Sequence, residues 1–311
     1  MKMQEIVIVA GPTASGKSAL AFTLAEALGG TIINADSMQL YCGLPILTAQ
    51  PDAAAQARAP HRLYGFVDPA QIFSAGVWRE RADAEIATSH EAGKVPILVG
   101  GSGLYLRVLL EGLAPTPPIP DAVRSEARAL RTEIGAAPFH ERLRAVDPEA
   151  AARLGAGDTQ RVLRAYEVIQ WTGRTLGDWQ REPSAEPRYA ARAILLVPPR
   201  EPLYAACDAR FASMLERGAG DEVRALLARD LDPSLPAMRA LGLRSLAQWL
   251  RGEVDRKTAV AAAQQATRNY AKRQITWFSR QMPERPALRK LIVNAQFSES
   301  LLPEILSFIR H

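Results

Sequence analysis

Residues Gly11-Pro12-Thr13-Ala14-Ser15-Gly16-Lys17-Ser18 have the form G-x-x-x-x-G-K-[ST], the spacing of a phosphate-binding loop. Backbone N–H groups at a helix start have no partner within the helix, so they can wrap a terminal phosphate. The helix dipole favours the negative charge there. Lys17 supplies a point cation, and the Ser18 hydroxyl suits a Mg2+ held on the phosphate. A plain tight turn would account for the glycines alone, but the flanking residues argue against it. Ile6-Val7-Ile8-Val9-Ala10 reads as a buried strand, and Ser18 to Leu28 places Leu20, Leu24 and Leu28 on one helical face. Strand, glycine-rich turn and helix start together predict binding of a diphosphate or triphosphate.

Two more clusters carry chemistry. Gly30-Thr31-Ile32-Ile33-Asn34-Ala35-Asp36 reads as a short strand ending in an acid, followed by Ser37-Met38-Gln39. A carboxylate there could hold magnesium through water or take a proton from a nucleophile; it could equally cap a turn. Val95-Pro96-Ile97-Leu98-Val99 is a third strand and runs into Gly100-Gly101-Ser102-Gly103. That segment offers a hydroxyl and a helix start, although a strand-to-helix turn wants glycine for steric reasons too. No strand in the first third ends in the second acid that holds metal for triphosphate hydrolysis. This favours a loop that holds a leaving diphosphate.

The elements around these clusters alternate, with helical stretches from about Gly76 to Gly93 and from Leu104 to Leu110. A βαβα order predicts an α/β fold with a parallel sheet covered on both faces. Ligands in such sheets sit at the carboxyl ends of the strands, so Gly11, Asp36 and Gly100 should share one cleft. Pro115, Pro117, Pro118 and Pro120 break the pattern, and 121–172 is helical in spacing. Glu182 to Arg188 reads as a second proline-containing linker, and Ala193-Ile194-Leu195-Leu196-Val197 returns as a core strand. The expected organisation is a core of 1–120 with 190–311, mainly helical after Pro202, and a helical insertion over 121–189.

The 311 residues, 48% of them hydrophobic, are ample for a substantial core. Cys42 and Cys207 are too far apart for a C-x-x-C motif, and His61, His90, His140 and His311 lack zinc-ligand spacing. No signal peptide or membrane span is legible, so a soluble cytoplasmic protein is expected. The formal net charge is +5. Arg268, Lys272, Arg273, Arg280, Arg285, Arg289 and Lys290 face a single acid, Glu284, with Tyr270, Trp277 and Phe278 interleaved. Such a stretch suits a phosphate backbone with stackable bases, or else a solvated helix face; charge alone leaves both open.

Taken in order, these segments resemble the tRNA dimethylallyltransferases over nearly the whole chain. The resemblance rests on Gly11 to Ser18, on Asp36-Ser37-Met38-Gln39-Leu40-Tyr41 and on Val99-Gly100-Gly101-Ser102-Gly103-Leu104-Tyr105. It continues through Asp158-Thr159-Gln160-Arg161-Val162-Leu163-Arg164-Ala165-Tyr166-Glu167-Val168, Thr172-Gly173 and Lys272-Arg273-Gln274-Ile275-Thr276-Trp277-Phe278. It implies a P-loop NTPase-like core and transfer of a dimethylallyl group from dimethylallyl diphosphate to N6 of adenosine 37, in tRNAs reading codons that begin with U. It also implies that Gly11 to Ser18 hold the diphosphate with Mg2+ and that Asp36 is the general base. Ser102, where the family usually has Thr, then hydrogen-bonds in the reacting centre. The implied tRNA contacts are Asp36, Ser37, Met38 and Gln39, then Gln160, Arg161, Val162, Leu163 and Arg164, then Arg239, Arg244, Lys272, Arg273, Gln274 and Trp277. No obligate protein partner is implied, and a monomer is expected.

The sequence departs from the family's pattern at Leu47, Gln50, Leu243 and Ser279. Three other readings compete. An isopentenyltransferase acting on free adenine nucleotide has less need of the insertion or the basic tail. The phosphate loop alone would favour a small-molecule kinase. A nucleotide switch or RNA-binding module leaves Asp36 without a role.

Overall fold

The computed structural model describes residues 3–182 and 188–311, so most of the expected Glu182–Arg188 linker lies outside the described residues. The chain divides into two compact units, Met1–Leu110 with Pro187–His311, and Glu111–Glu186. In the first unit, apolar runs become strands β1 (Gln4–Ala10), β2 (Gly30–Asn34), β3 (His61–Arg62), β4 (Val95–Gly100), β5 (Tyr189–Leu196) and β6 (Leu288–Val293). All pair in parallel in the order β3-β2-β4-β1-β5-β6. β1 is central, with Val9 paired to Val99 on one side and to Ile194 on the other. The α/β parallel-sheet expectation is met.

Alternation along each strand builds two cores, because successive side chains point to opposite faces. Ile6, Ile8, Ile33 and Leu98 face one way, against Trp78 and Ile86 of α3 (Ala75–Glu91) and Leu106 of α4 (Gly103–Glu111). Val7, Val9, Ile32, Ile97 and Val99 face the other way. There they meet Leu20 and Leu24 of α1 (Lys17–Leu28) and Ile305 of α14 (Leu302–Arg310). Strands covered on both faces read as continuous apolar runs, which made β1, β2, β4 and β5 legible. The short α2 (Ala53–Arg58) precedes β3. A third cluster joins Leu44 and Leu47 to α10 (Arg200–Glu216), α11 (Ala219–Leu227), α12 (Leu243–Leu250) and α13 (Arg256–Arg280). Leu47 and Leu243, two departures from the family pattern, are buried in this cluster.

The second unit is helical: α5 (Asp121–Ile134), α6 (Ala136–Val146), α7 (Pro148–Arg153), α8 (Thr159–Thr172) and α9 (Leu176–Arg181). Phe139, Leu143, Val162 and Ala165 form its core, and Phe139 packs on Tyr166 with ring centroids 4.9 Å apart.

Two strands were not expected. β3 is only two residues long, below what a periodicity reading detects. The chain is mainly helical after Pro202, as expected, with β6 as an added strand. β6 is an edge strand with only its end residues Leu288 and Val293 buried, and its basic residues hid it. The cationic stretch is accordingly split. Arg268 pairs with Asp208 on α10, Lys290 with Glu284 at 3.3 Å, and Arg289 donates to the carbonyl of His311. Lys272, Arg273 and Arg280 stay exposed on α13.

The carboxyl end of β4 leaves no room for a side chain. A Cβ on Gly100 would lie 2.0 Å from the backbone oxygen of Ala35. Gly100→Ala should therefore cost about 1–3 kcal/mol, the usual range for overpacking. Urea denaturation checks this, and an unchanged midpoint would show that the two backbones can separate freely.

Candidate active site

The phosphate loop is shaped by glycine. Gly11 has φ +147°, and a Cβ there would lie 2.3 Å from the oxygen of Leu196; Gly16 has φ +90°. α1 then begins at Lys17 with no side chain capping it. Among the described residues, the N–H groups of Gly16, Lys17 and Ser18 have no acceptor. The buried Ser15 Oγ also lacks a hydrogen-bond partner. Unmet donors at a helix start form an anion site.

Lys17 donates to Pro12 O and lies close to Arg210 of α10, which donates to Thr13 Oγ1. Burial, followed by repulsion from Arg210, brings the Lys17 pKa down to about 7, while Asp36 and Cys207 oppose the shift. Burial likewise lowers the Arg210 pKa. Two crowded cations beside unpaired N–H groups favour an anion. Buried Cys207 approaches Thr13 O with its Sγ at 3.9 Å.

The turn after β2 is built by Asn34, which is fully buried. Its Nδ2 donates to Asp36 O (3.0 Å) and Leu63 O (2.9 Å), and its Oδ1 accepts from Asp36 N (2.8 Å). Asp36 Oδ1 accepts from Met38 N at 2.9 Å, so one carboxylate oxygen does the turn-capping job. Its Oδ2 has no hydrogen-bond partner among the described residues. Ser102 N donates to Ala35 O, and Ser102 Oγ accepts from Ser37 N at 3.0 Å. The Tyr270 hydroxyl of α13 lies near Ser102. Burial first, then the Asp36 charge, raises the pKa values of Tyr64 and Tyr270. The expected convergence of Gly11, Asp36 and Gly100 is thus present in the first unit.

A cavity of about 290 Å3 shares Ser18 with the phosphate loop and is walled by Phe22, Gln50, His61, Tyr64 and Arg217. Gln50, another departure from the family pattern, donates to Tyr41 O (2.9 Å) and Thr48 Oγ1 (3.0 Å), holding its own loop together.

Several expected tRNA contacts have other posts. Gln274 is only 5% exposed, and both ends of its amide are engaged inside the site. Val162 is fully buried in the second unit's core, so its side chain is not free to meet RNA, and Leu163 is half-buried against that core. Gln39 spends its amide on Thr48 O and Ala49 O. Trp277 packs on Gly103, where a Cβ would come within 2.2 Å of its ring. Met38 and Ser37 are half-buried; Gln160, Arg161, Arg239, Arg244, Lys272 and Arg273 are exposed. Arg164 donates to Thr116 Oγ1 at 3.1 Å, and burial lowers its pKa. Sequence reasoning missed Asn34 and Arg210, and named Tyr270 only among the aromatics of the basic stretch. A polar residue ending the apolar run Thr31-Ile32-Ile33 was a signal for Asn34, whereas Arg210 lies in a helix without any motif.

Residues 39–281 match the family model described as IPP transferase. The chain is 58% identical over 279 residues to the tRNA dimethylallyltransferase of Rhodospirillum centenum, covering 89% of each chain. It is 50% identical over 307 residues to that of Paramagnetospirillum magneticum, covering 98% of this chain and 95% of the relative. The full-length tRNA isopentenylpyrophosphate transferase of Bacillus halodurans has a similar structure. The TM-score is 0.68 at 29% identity, covering 99% of this chain and 95% of that one. A eukaryotic dimethylallyltransferase acting on tRNA gives a TM-score of 0.79 at 25% identity, covering 94% and 74%.

The lowered pKa of Lys17 has a measurable consequence. With a value of about 7, free Lys17 is mostly neutral above pH 8, and a bound anion must draw a proton onto it. Affinity for inorganic diphosphate should fall by up to about tenfold per pH unit above pH 7. Lys17→Arg, which stays charged, should remove that slope and so separates it from titration of the ligand itself. Calorimetric titration from pH 6 to 9 measures both, and equal slopes would mean that free Lys17 is already protonated.

Proposed function

The chain belongs to the IPP transferase family and is a tRNA prenyltransferase; we propose that its reaction is transfer of a dimethylallyl group from dimethylallyl diphosphate to N6 of adenosine 37 in tRNAs reading codons that begin with U. The observation that carries the reading is the open Oδ2 of Asp36, in a turn bound to Ser102 and within electrostatic reach of Lys17 and Arg210. A base and an anion cradle side by side are what this displacement needs. Asp36 takes a proton from the adenine N6, whose electron pair attacks the allylic carbon. The carbon–oxygen bond to the diphosphate breaks, and the leaving group keeps its electrons in the phosphate loop. The loop N–H groups, Lys17 and Arg210 stabilise the charge that develops there. Ser102 holds Ser37 and so sets the turn that aims Asp36.

Ser18, exposed at the first turn of α1, is the residue we assign to Mg2+, completed by phosphate oxygens and water. The ion would neutralise the diphosphate. A base stacked in an anticodon loop is out of reach, so adenosine must flip out before transfer. Exposed Lys272, Arg273 and Arg280 on α13 suit the RNA backbone, as do Arg239 and Arg244 in the same unit, and Gln160 and Arg161 in the other. No helix among the described residues is long and apolar enough to cross a membrane. A monomer working in the cytoplasm fits this reading.

Asp36→Asn keeps an acceptor for Met38 N but removes the base. Single-turnover transfer should fall about 10²- to 10⁴-fold while both substrates still bind. A defect that shrinks as magnesium is raised would make Asp36 a metal organiser instead, and a near wild-type rate would remove it from the mechanism. The RNA surface has its own test. Changing Lys272, Arg273 and Arg280 together to Ala should weaken tRNA binding and lower the salt slope by about 0.7–0.9 per lost phosphate contact. An unaltered slope would leave these residues as a solvated helix face.

A further inference from the structure

We propose that Gln274 is a positioning residue for the transfer reaction: its side chain sets the phosphate loop against the Gly100–Gly103 turn, and it does not read RNA. The inference rests on reading these loops as the transfer site. Gln274 Oε1 accepts from Thr13 N at 2.8 Å, and Gln274 Nε2 donates to Gly101 O at 3.0 Å. The orientation of the amide is chemically determined, because a flipped amide would set donor against donor and acceptor against acceptor. Both loops accept this one side chain only in full contact. A Cβ on Gly101 would lie 2.1 Å from Nε2.

Neighbouring residues of α13 serve the same face. Tyr270, four residues earlier, lies near Ser102, and Trp277, three residues later, covers Gly103. Residues three and four apart share a helix face, so one face of α13 spans the phosphate loop and the glycine turn. Lys272, Arg273 and Arg280 of the same helix are exposed to solvent. Through Ser102, Ser37 and Ala35, the glycine turn continues to Asp36. Gln274 is therefore the link that holds the leaving-group cradle and the base in one frame. Displacement is sensitive to such a frame, since a shift of about 1 Å can cost about 10²-fold in rate.

The test compares Gln274→Leu and Gln274→Glu with wild type in single-turnover transfer, tRNA affinity, affinity for inorganic diphosphate and thermal midpoint. Gln274→Leu should weaken diphosphate binding and slow transfer at saturating substrates by about 10- to 100-fold. Its tRNA affinity should stay within twofold. Gln274→Glu carries the sharper expectation. As a carboxylate it accepts from Thr13 N but repels Gly101 O; once protonated it has both an acceptor and a donor. Its rate and diphosphate affinity, each divided by the wild-type value at the same pH, should rise as pH falls from 8 to 5.5. Lys17, Asp36, Cys207, Arg210 and Tyr270 surround these loops in every variant, and Gln274→Leu, with no titratable group at this position, reports their own titration. Gln274→Leu should show no such recovery. A loss of tRNA affinity with normal transfer in the bound complex would make Gln274 an RNA contact and overturn the proposal. A flat ratio for Gln274→Glu, or Gln274→Leu with wild-type rates, would overturn it too. Failure of wild type to prenylate tRNA would instead count against the proposed reaction, and diphosphate affinity would still judge the link.

Discussion

Close approach of backbone to backbone at the carboxyl ends of β2, β4 and β1 is the constraint on which the site depends. Gly100 meets Ala35, Gly11 meets Leu196, and Gly101 meets the Gln274 amide, each at distances where any Cβ would clash. Parallel pairing in register brings the strand ends level, with Asn34 opposite Val99 and Ala10 opposite Gly100. The three loops leave the sheet from neighbouring strands and have no space to diverge. Glycine permits the approach; hydrogen bonds accepted by Asn34 Oδ1 and Ser102 Oγ and donated by Gln274 Nε2 then fix it. The proposed displacement needs its base and its leaving-group cradle in fixed relation, and this packing would supply that relation.

Electrostatics adds a second requirement. Lys17 and Arg210 are crowded together with their charged forms penalised by burial, and Asp36 is the carboxylate that opposes the penalty on both. The unmet N–H groups and the buried Ser15 hydroxyl lie on the same loop. An anionic diphosphate would satisfy all of these groups together. In the proposed reaction, the same low-dielectric surroundings would strengthen each interaction as charge moves onto the leaving group. The absence of a second metal-holding acid after β4, where Gly100 stands, accords with a loop that receives a diphosphate.

The helix α13 illustrates how one element serves two surfaces. Its sequence reads as a basic-aromatic signature, from which Lys272, Arg273, Gln274 and Trp277 are the implied tRNA contacts. Burial sorts it differently: Ala271, Gln274 and Phe278 face inward, while Lys272, Arg273 and Arg280 face solvent. Val162 and Leu163 show the same sorting on α8, where the segment with exposed Gln160 and Arg161 also supplies core residues. A motif in a helix mixes faces because its period is 3.6 residues, and a linear pattern does not distinguish them.

By itself the sequence determined the phosphate loop, the carboxylate after β2, the glycine turn after β4 and the parallel α/β class. Each of these is written locally: in spacing around Gly11 and Lys17, and in apolar runs such as Ile6 to Ala10. Local signals suffice where backbone conformation or burial on both faces dictates residue type. Tertiary structure alone decided that Arg210 joins Lys17, that Tyr270 reaches Ser102, and that Gln274 spans Thr13 and Gly101. These contacts link residues 168 or more positions apart, and nothing in the periodicity of either segment names its partner. The edge strand β6 was hidden for a related reason. With only one ladder and little burial, it lacks the apolar run that marks the central strands, and only its pairing with β5 reveals it.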